Sequence, residues 1–316
     1  MKIVFTILSF LILFSIFGKL FSIDLFDIER VTEDAKSVVL IDYDTKRIFY
    51  AKNPNLVFPP ASLTKLVTIY TALVEARKKN IDLKTIVPIS SAASYYNLPL
   101  GSSLMFLEEG HKVNFEELLK GLVISSGNDA AIAIAEFIVG KNLSNFVNLM
   151  NINVLNLGLV NMNFVDTSGY CNGNQITALE MALFARTYIE EFEFMLAIHS
   201  LKDFIYPRSE NLGNTSSSKM LNLKQENRNV LIFNYPYADG LKTGYIKTSG
   251  LNLVATAKKD DIRLIAVVLG VNKGINSVGE KKRALIAQKL FEYGFSNYSR
   301  FPFIGKIRKK IYNGTW

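Results

Sequence analysis

Two short apolar runs rich in β-branched residues, 37–43 and 47–51, are parted by Asp44, Thr45 and Lys46, the spacing of a hairpin. Pro59 and Pro60 then hold the backbone extended. At Leu63 the period changes: Leu63, Leu66, Val67, Tyr70, Leu73 and Val74 fall on one stripe of a helix. Asn114, with Glu117 three residues on, predicts a capped helix running to Ile124. Further helices fit 129–139, 143–157 and 177–189, and 207–219, dense in Ser, Asn and Gly, reads as a loop. Beyond it lie strand-like runs at 230–234, 241–246, 251–257 and 262–268, with Asp260-Asp261 turning between the last two. A helix over 277–293 closes the pattern. Strands near both ends with helices between them predict an α+β fold, an antiparallel sheet built from N- and C-terminal strands and covered by helices.

Composition narrows this further. The 316 residues are 49% hydrophobic and 20% charged, which describes a folded chain with room for one large domain or two smaller ones. The single cysteine, Cys171, excludes an intramolecular disulfide and any cysteine-built zinc or iron–sulfur site. There are two histidines, His111 and His199, and no His-Glu-x-x-His, G-x-S-x-G or G-x-G-x-x-G. A histidine-based triad is therefore disfavoured, both histidines read as ordinary packing or surface residues, and no cofactor is expected.

Met1-Lys2 precedes an uncharged run from Ile3 to Phe17, so 1–22 reads as a secretory signal or N-terminal anchor, short for a membrane span. Either places the remainder outside the cytoplasm. Of the net charge of +8, five units sit after Glu292, at Arg300, Lys306, Arg308, Lys309 and Lys310, with no acid among them. The body is thus not a nucleic-acid-like surface, and no nucleic acid is expected as partner. In the tail, 299–316, these charges alternate with Phe301, Phe303 and Ile304. An exposed soluble terminus is the commoner outcome for such a segment. The alternative is an anionic membrane surface, worth about 1 kcal/mol per basic residue near it.

Three short motifs carry the chemistry. Ser62-Leu63-Thr64-Lys65, Ser126-Gly127-Asn128 and Lys242-Thr243-Gly244 occur in that order. Singly each is ordinary: a helix cap with a surface lysine, a helix–helix turn, an edge-strand lysine. Ser-x-x-Lys recurs at Ser216 to Lys219 and Ser-x-Asn at Ser209 to Asn211, but inside the polar loop, where no helix fixes their geometry. Together and in order the three describe a serine acyl-transfer enzyme whose general base is a lysine. Lys65, three residues after Ser62, projects from the same side of the helix's first turn. At its ordinary pKa of about 10.4 a lysine is a poor base, so it has to be desolvated or set beside positive charge. A helix N-terminus and a second lysine both act in that direction. Gly244, inside a strand, marks a place where another backbone or a ligand comes close.

Longer stretches extend the match. Phe58-Pro-Pro-Ala-Ser-Leu-Thr-Lys65, Leu119-Lys-Gly-Leu-Val-Ile-Ser-Ser-Gly-Asn-Asp-Ala-Ala131 and Asp239-Gly-Leu-Lys-Thr-Gly-Tyr245 closely resemble the serine D-alanyl-D-alanine carboxypeptidases, the low-molecular-mass penicillin-binding proteins. The likeness runs from about Ser37 to Tyr298. It implies a helical subdomain beside the sheet and a catalytic domain over 23–298. It also implies that Ser62 attacks the carbonyl between two terminal D-alanines of a peptidoglycan pentapeptide and is acylated by β-lactams. Lys65 would take the serine proton, Ser126 would pass a proton to the departing D-alanine, and Asn128 would steady Lys65 and the peptide. Lys242 and Thr243 would grip the terminal carboxylate, Gly244 completes their motif, and the amides of Ser62 and Tyr245 would hold the oxyanion. Two departures stand out. Gln175 occupies a position where the family often has histidine. Many members also continue into a β-rich second domain, where here only 299–316 follow. Three other readings remain: an endopeptidase on D-alanyl cross-links, a wall-binding protein with little turnover, and a β-lactamase. The last finds its Glu-x-x-x-Asn spacing only at Glu210 to Asn214, in the polar loop.

Overall fold

The computed structural model describes residues 24–212, 221–272 and 277–298. Residues 1–22, expected to be a signal or N-terminal anchor, the Ser216–Lys219 repeat of the first motif and the basic tail lie outside the described residues. In chain order the helices and strands begin with α1 (Leu25–Val31), capped by the Asp24 side chain. The predicted hairpin follows as β1 (Ser37–Asp42) and β2 (Ile48–Lys52), its turn closed by Asp42 Oδ1 accepting from Thr45 N at 2.7 Å. Next come α2 (Thr64–Lys78) and a small two-stranded sheet of β3 (Ile86–Pro88) with β4 (Lys112–Asn114). The predicted capping box is present: Asn114 Oδ1 accepts from Glu117 N and Glu117 Oε2 from Asn114 N. It opens α3 (Phe115–Lys120), which passes into a π-helical turn over Gly121–Ser125. The chain continues through α4 (Asn128–Val139), α5 (Leu143–Asn156), α6 (Ala178–Glu191) and α7 (Met195–His199). Beyond these are β5 (Asp203–Ile205) paired with β6 (Lys224–Glu226), then α8 (Leu231–Asn234). β7 (Ala238–Ile246), β8 (Gly250–Lys259), β9 (Ile262–Val271) and α9 (Ser277–Tyr298) complete the fold.

The main sheet has the order β2-β1-β9-β8-β7, antiparallel throughout, so the first hairpin and the last three strands form one layer, as the sequence predicted. Its side chains alternate between two covers. Val39, Ile41, Ile265 and Val267 face the larger core of α2, α4 and α6, while Val38, Leu40, Leu264 and Val268 face α1 and α9. Both faces are apolar, which is why these strands read as unbroken hydrophobic runs. The α2 helix is buried all round from Thr64 to Ala76, beyond the stripe that its spacing predicts. Its polar positions are satisfied internally: Thr68 Oγ1 donates to Thr167 O at 2.6 Å, and Thr71 and Thr64 accept from Asn153 and Asn174.

One element differs from expectation. The run at 230–234 is the short helix α8 and not a strand. Asn227 Oδ1 accepts from Asn229 N, and Asn229 Oδ1 from Leu231 N, so successive side-chain turns start a helical turn there. A four-residue apolar run does not distinguish the two states by periodicity.

Candidate active site

The turn that carries Ser62 is held from both sides. Ser62 lies in a 3-10 turn (Ala61–Leu63) ahead of α2, and the helix cap is Leu63, which makes no side-chain cap bond. Ser62 is therefore not the ordinary cap that its position allowed. Ala61 just before it has φ +51, a left-handed conformation costing an L-residue about 1–2 kcal/mol, and such strain survives only where the surroundings over-determine it. On one side is Gly169, whose hypothetical Cβ would lie 1.8 Å from Ala61 O. On the other is Gly244 of β7, where a Cβ would lie 2.7 Å from Pro60 O and 3.2 Å from Ser62 N. The glycine in the strand marks a close backbone approach, as expected. It sets the Ser62 amide beside the strand at Gly244 and Tyr245.

Lys65 is fully buried, and its Nζ has three oxygens around it: Ser62 Oγ at 3.0 Å, Asn128 Oδ1 at 2.8 Å and Ser168 O at 2.7 Å. A neutral amine has two N–H bonds and one lone pair. The amide and carbonyl oxygens can only accept, so they take the two N–H bonds and the lone pair is left for the serine hydroxyl. Burial draws the Lys65 pKa down to about 7; Arg228 assists, while Asp166 and Asp129 oppose. Desolvation is thus the larger of the two means available to activate such a lysine.

Ser126 follows the π-helical turn in a left-handed conformation, φ +61, and its buried Oγ has no hydrogen-bond partner among the described residues. Asn128 begins α4, and its backbone N donates to Ser103 O at 2.7 Å. The next residue, Asp129, is fully buried and accepts from the backbone N–H groups of Met105, Phe106, Leu107 and Ala130. Those bonds fasten the extended segment at 105–107 alongside the site. Burial raises the Asp129 pKa, and the four backbone donors pull it back.

On β7, Lys242 and Thr243 are buried, Gly244 stands against the Ser62 turn and Tyr245 is half-buried. Burial holds the Lys242 ammonium far below its ordinary pKa, with Lys65, Arg228 and Arg283 adding to the effect. Arg283, from α9, donates to Gly244 O at 3.4 Å and Asn252 O at 3.2 Å. Several cationic groups converge here, an arrangement that suits a carboxylate, whose charge would favour the protonated form of Lys242. All three motifs therefore meet: Ser62, Lys65 and Asn128 by direct contact, Gly244 by packing on the Ser62 turn, and Lys242 through the field of Lys65 on it.

Other residues sort away from the chemistry. His199 Nδ1 donates to Leu241 O at 2.9 Å, Tyr188 OH lies 2.8 Å from Nε2, and burial lowers its pKa to about 3, so it braces β7 as a neutral ring. His111 Nδ1 bonds Tyr206 OH in the core. Both histidines are the packing residues expected. Gln175 is exposed on a bridge whose backbone pairs with Asn163. Cys171 is exposed, its thiol held above the ordinary range by burial and by Asp166. Sequence reasoning missed the Ser168 carbonyl, Asp166 and Asn174. A backbone acceptor has no residue signature, and only the Asp166-Thr167-Ser168-Gly169 turn pattern hints at the bend.

Comparison with known proteins gives a consistent picture. The pattern of a family described as D-alanyl-D-alanine carboxypeptidase matches residues 26–273. The D-alanyl-D-alanine carboxypeptidase DacF of Bacillus subtilis is 35% identical over 274 residues, covering 86% of this chain and 65% of that protein. DacA of Haemophilus influenzae is 36% identical over 270 residues, 84% of this chain and 63% of its own. The chain thus spans a little under two thirds of the length of these relatives. Among solved structures, penicillin binding protein 5 from Haemophilus influenzae superposes with a TM-score of 0.73 at 35% identity, covering 83% of this chain and 71% of that one. A mutant of a Streptomyces DD-transpeptidase gives 0.74 at 26% identity, covering 83% and 98%.

Proposed function

Because the chain belongs to the D-alanyl-D-alanine carboxypeptidase family, we propose that it removes the terminal D-alanine from peptidoglycan stem peptides through an acyl-enzyme on Ser62. The observation that carries this reading is the buried Lys65 amine, 3.0 Å from Ser62 Oγ with its other two contacts both acceptors. Neutral Lys65 takes the hydroxyl proton as Ser62 Oγ attacks the carbonyl of the penultimate D-alanine. The developing oxyanion is met by the amides of Ser62 and Tyr245, a kind of contact worth about 100-fold to 1,000-fold in rate per donor. Ser126, with its unpartnered hydroxyl, gives its proton to the departing D-alanine amine and takes in exchange the one held by Lys65, which is neutral again, and Asn128 holds Lys65 and the peptide. Lys242 and Thr243 bind the terminal carboxylate. Water then attacks the ester, with Lys65 again as base, and frees Ser62.

A penicillin presents the same carboxylate and a strained amide, so it acylates Ser62 in place of the peptide. The β-lactamase alternative gains nothing from Glu210, which sits in a surface turn bonded to Arg208 at 3.0 Å. The substrate and the uncharged run at Ile3 to Phe17 support a place outside the cytoplasm, and the basic, phenylalanine-bearing tail supports contact with anionic lipid.

The test is release of free D-alanine from a peptide ending in D-Ala-D-Ala. Release that is abolished, together with penicillin labelling, in Ser62→Ala is expected. Release retained by Ser62→Ala sinks the mechanism. No release from folded protein points to cross-link cleavage or a binding role, and rapid turnover of penicillin to a lactamase.

A further inference from the structure

One of the contacts that hold Lys65 comes from no side chain. The Ser168 carbonyl, 2.7 Å from Nζ, can be aimed only by the backbone that carries it. That backbone is folded around a single carboxylate. Asp166 Oδ1 accepts from Ser168 N at 2.7 Å, Ser168 Oγ at 3.2 Å and Gly169 N at 2.5 Å, while Oδ2 accepts from Cys171 N at 2.8 Å. The loop is also tied to α2 beside the base. Asn174 Oδ1 accepts from Val165 N and Asp166 N, and Asn174 Nδ2 donates to Thr64 Oγ1 at 2.9 Å. Gly169 then fits against Ala61 O with no space for a Cβ. With both oxygens occupied by the loop, Asp166 is not placed to act as a base itself.

We propose that Asp166 is a positioning residue for acyl transfer: its carboxylate folds the loop so that the Ser168 carbonyl holds Lys65 Nζ against Ser62. The inference rests on the roles given above to Ser62 and Lys65. The charged groups bearing on Lys65 come from several elements: Asp166 from this loop, Arg228 ahead of α8 and Asp129 from α4, while Lys65 in turn acts on Lys242 of β7. Burial remains the dominant influence, with Asp166 the first of the charges.

The experiment is the second-order rate of Ser62 acylation by a fluorescent penicillin as a function of pH, with the full chain. Wild type is expected to rise with pH through about 7, where Lys65 becomes neutral. Asp166→Asn keeps the size and one acceptor but removes the charge. Its midpoint moves to lower pH, and its plateau falls about tenfold or more as the carbonyl loses its aim. Asp166→Glu keeps the charge and disturbs the loop, so its plateau falls while its midpoint stays near the wild-type value. An Asp166→Asn profile with a lower plateau and an unmoved midpoint reduces the residue to a structural one and overturns the inference. So does an Asp166→Glu midpoint that shifts as far as that of the amide. Wild type forming no adduct at all overturns the reading of Ser62 and Lys65 instead, and this inference with it.

Discussion

Replacing Gly244 by alanine tests whether the close packing of β7 on the nucleophile turn matters for chemistry. The added Cβ would lie 2.7 Å from Pro60 O and 3.2 Å from both Ser62 N and Leu63 N. Ordinary van der Waals contact begins near 3.4 Å, so strand and turn have to separate by about 0.7 Å. All three neighbours are backbone atoms, and no flexible side chain can absorb the shift. Overpacking of this kind costs about 1–3 kcal/mol of stability. Displacing a nucleophile from its oxyanion donors by a large fraction of an ångström costs about tenfold to 100-fold in rate. Penicillin acylation and thermal unfolding, measured on the same preparation, separate the two effects. Gly158→Ala is the control: φ there is +77 but nothing lies within 4 Å of the added Cβ, so it adds strain without a clash. Gly244→Ala is expected to lose rate while still folding, and Gly158→Ala to lose only stability. A Gly244→Ala protein that acylates at the wild-type rate would refute the argument that this approach builds the site.

Lys65→Arg keeps the positive charge but cannot shed a proton in the working range. Loss of a general base costs about 100-fold to 10,000-fold, so stopped-flow acylation should fall by that much and no longer rise with pH. His199 has a folded pKa of about 3 against an ordinary 6.5, so the unfolded chain binds its proton first. Its contribution to stability is complete above pH 6.5 and is lost as pH falls towards 3. Melting temperatures over that window should decline less steeply for His199→Gln than for wild type; parallel curves would mean that the ring is already charged in the fold.

The sequence exposed the parts of this protein whose chemistry depends on local spacing. Ser62 and Lys65 lie three residues apart on one turn, and the Asn114 and Glu117 box needs only its two side chains. The strands at 251–257 and 262–268 were legible because both faces of the sheet are covered, leaving unbroken apolar runs. The short pairs β3–β4 and β5–β6 gave no comparable signal. The run at 230–234 misled because two asparagines upstream decide its state. At the site, the spacing of Ser62 and Lys65 could not reveal that Ser168 O, more than a hundred residues away in the chain, completes the lysine's surroundings. Nor could it reveal that Asp129, next to a recognised motif, spends its carboxylate on the segment at 105–107. Both contacts pair a side chain with backbone atoms that tertiary packing brings to it, and no spacing in the sequence encodes that pairing.

The sheet order has a consequence in time. β1 lies beside β9, and the Ser62 turn rests on β7, so strands near the beginning of the chain wait for partners near its end. A chain emerging from the ribosome, or threading across a membrane N-terminus first, carries its serine and lysine early. It lacks Gly244 until more than three quarters of the chain has been made. Contacts so distant in sequence form slowly. On the proposed mechanism, Ser62 therefore stays chemically silent while the chain is being made, and reactivity arises only as the final strands close the sheet.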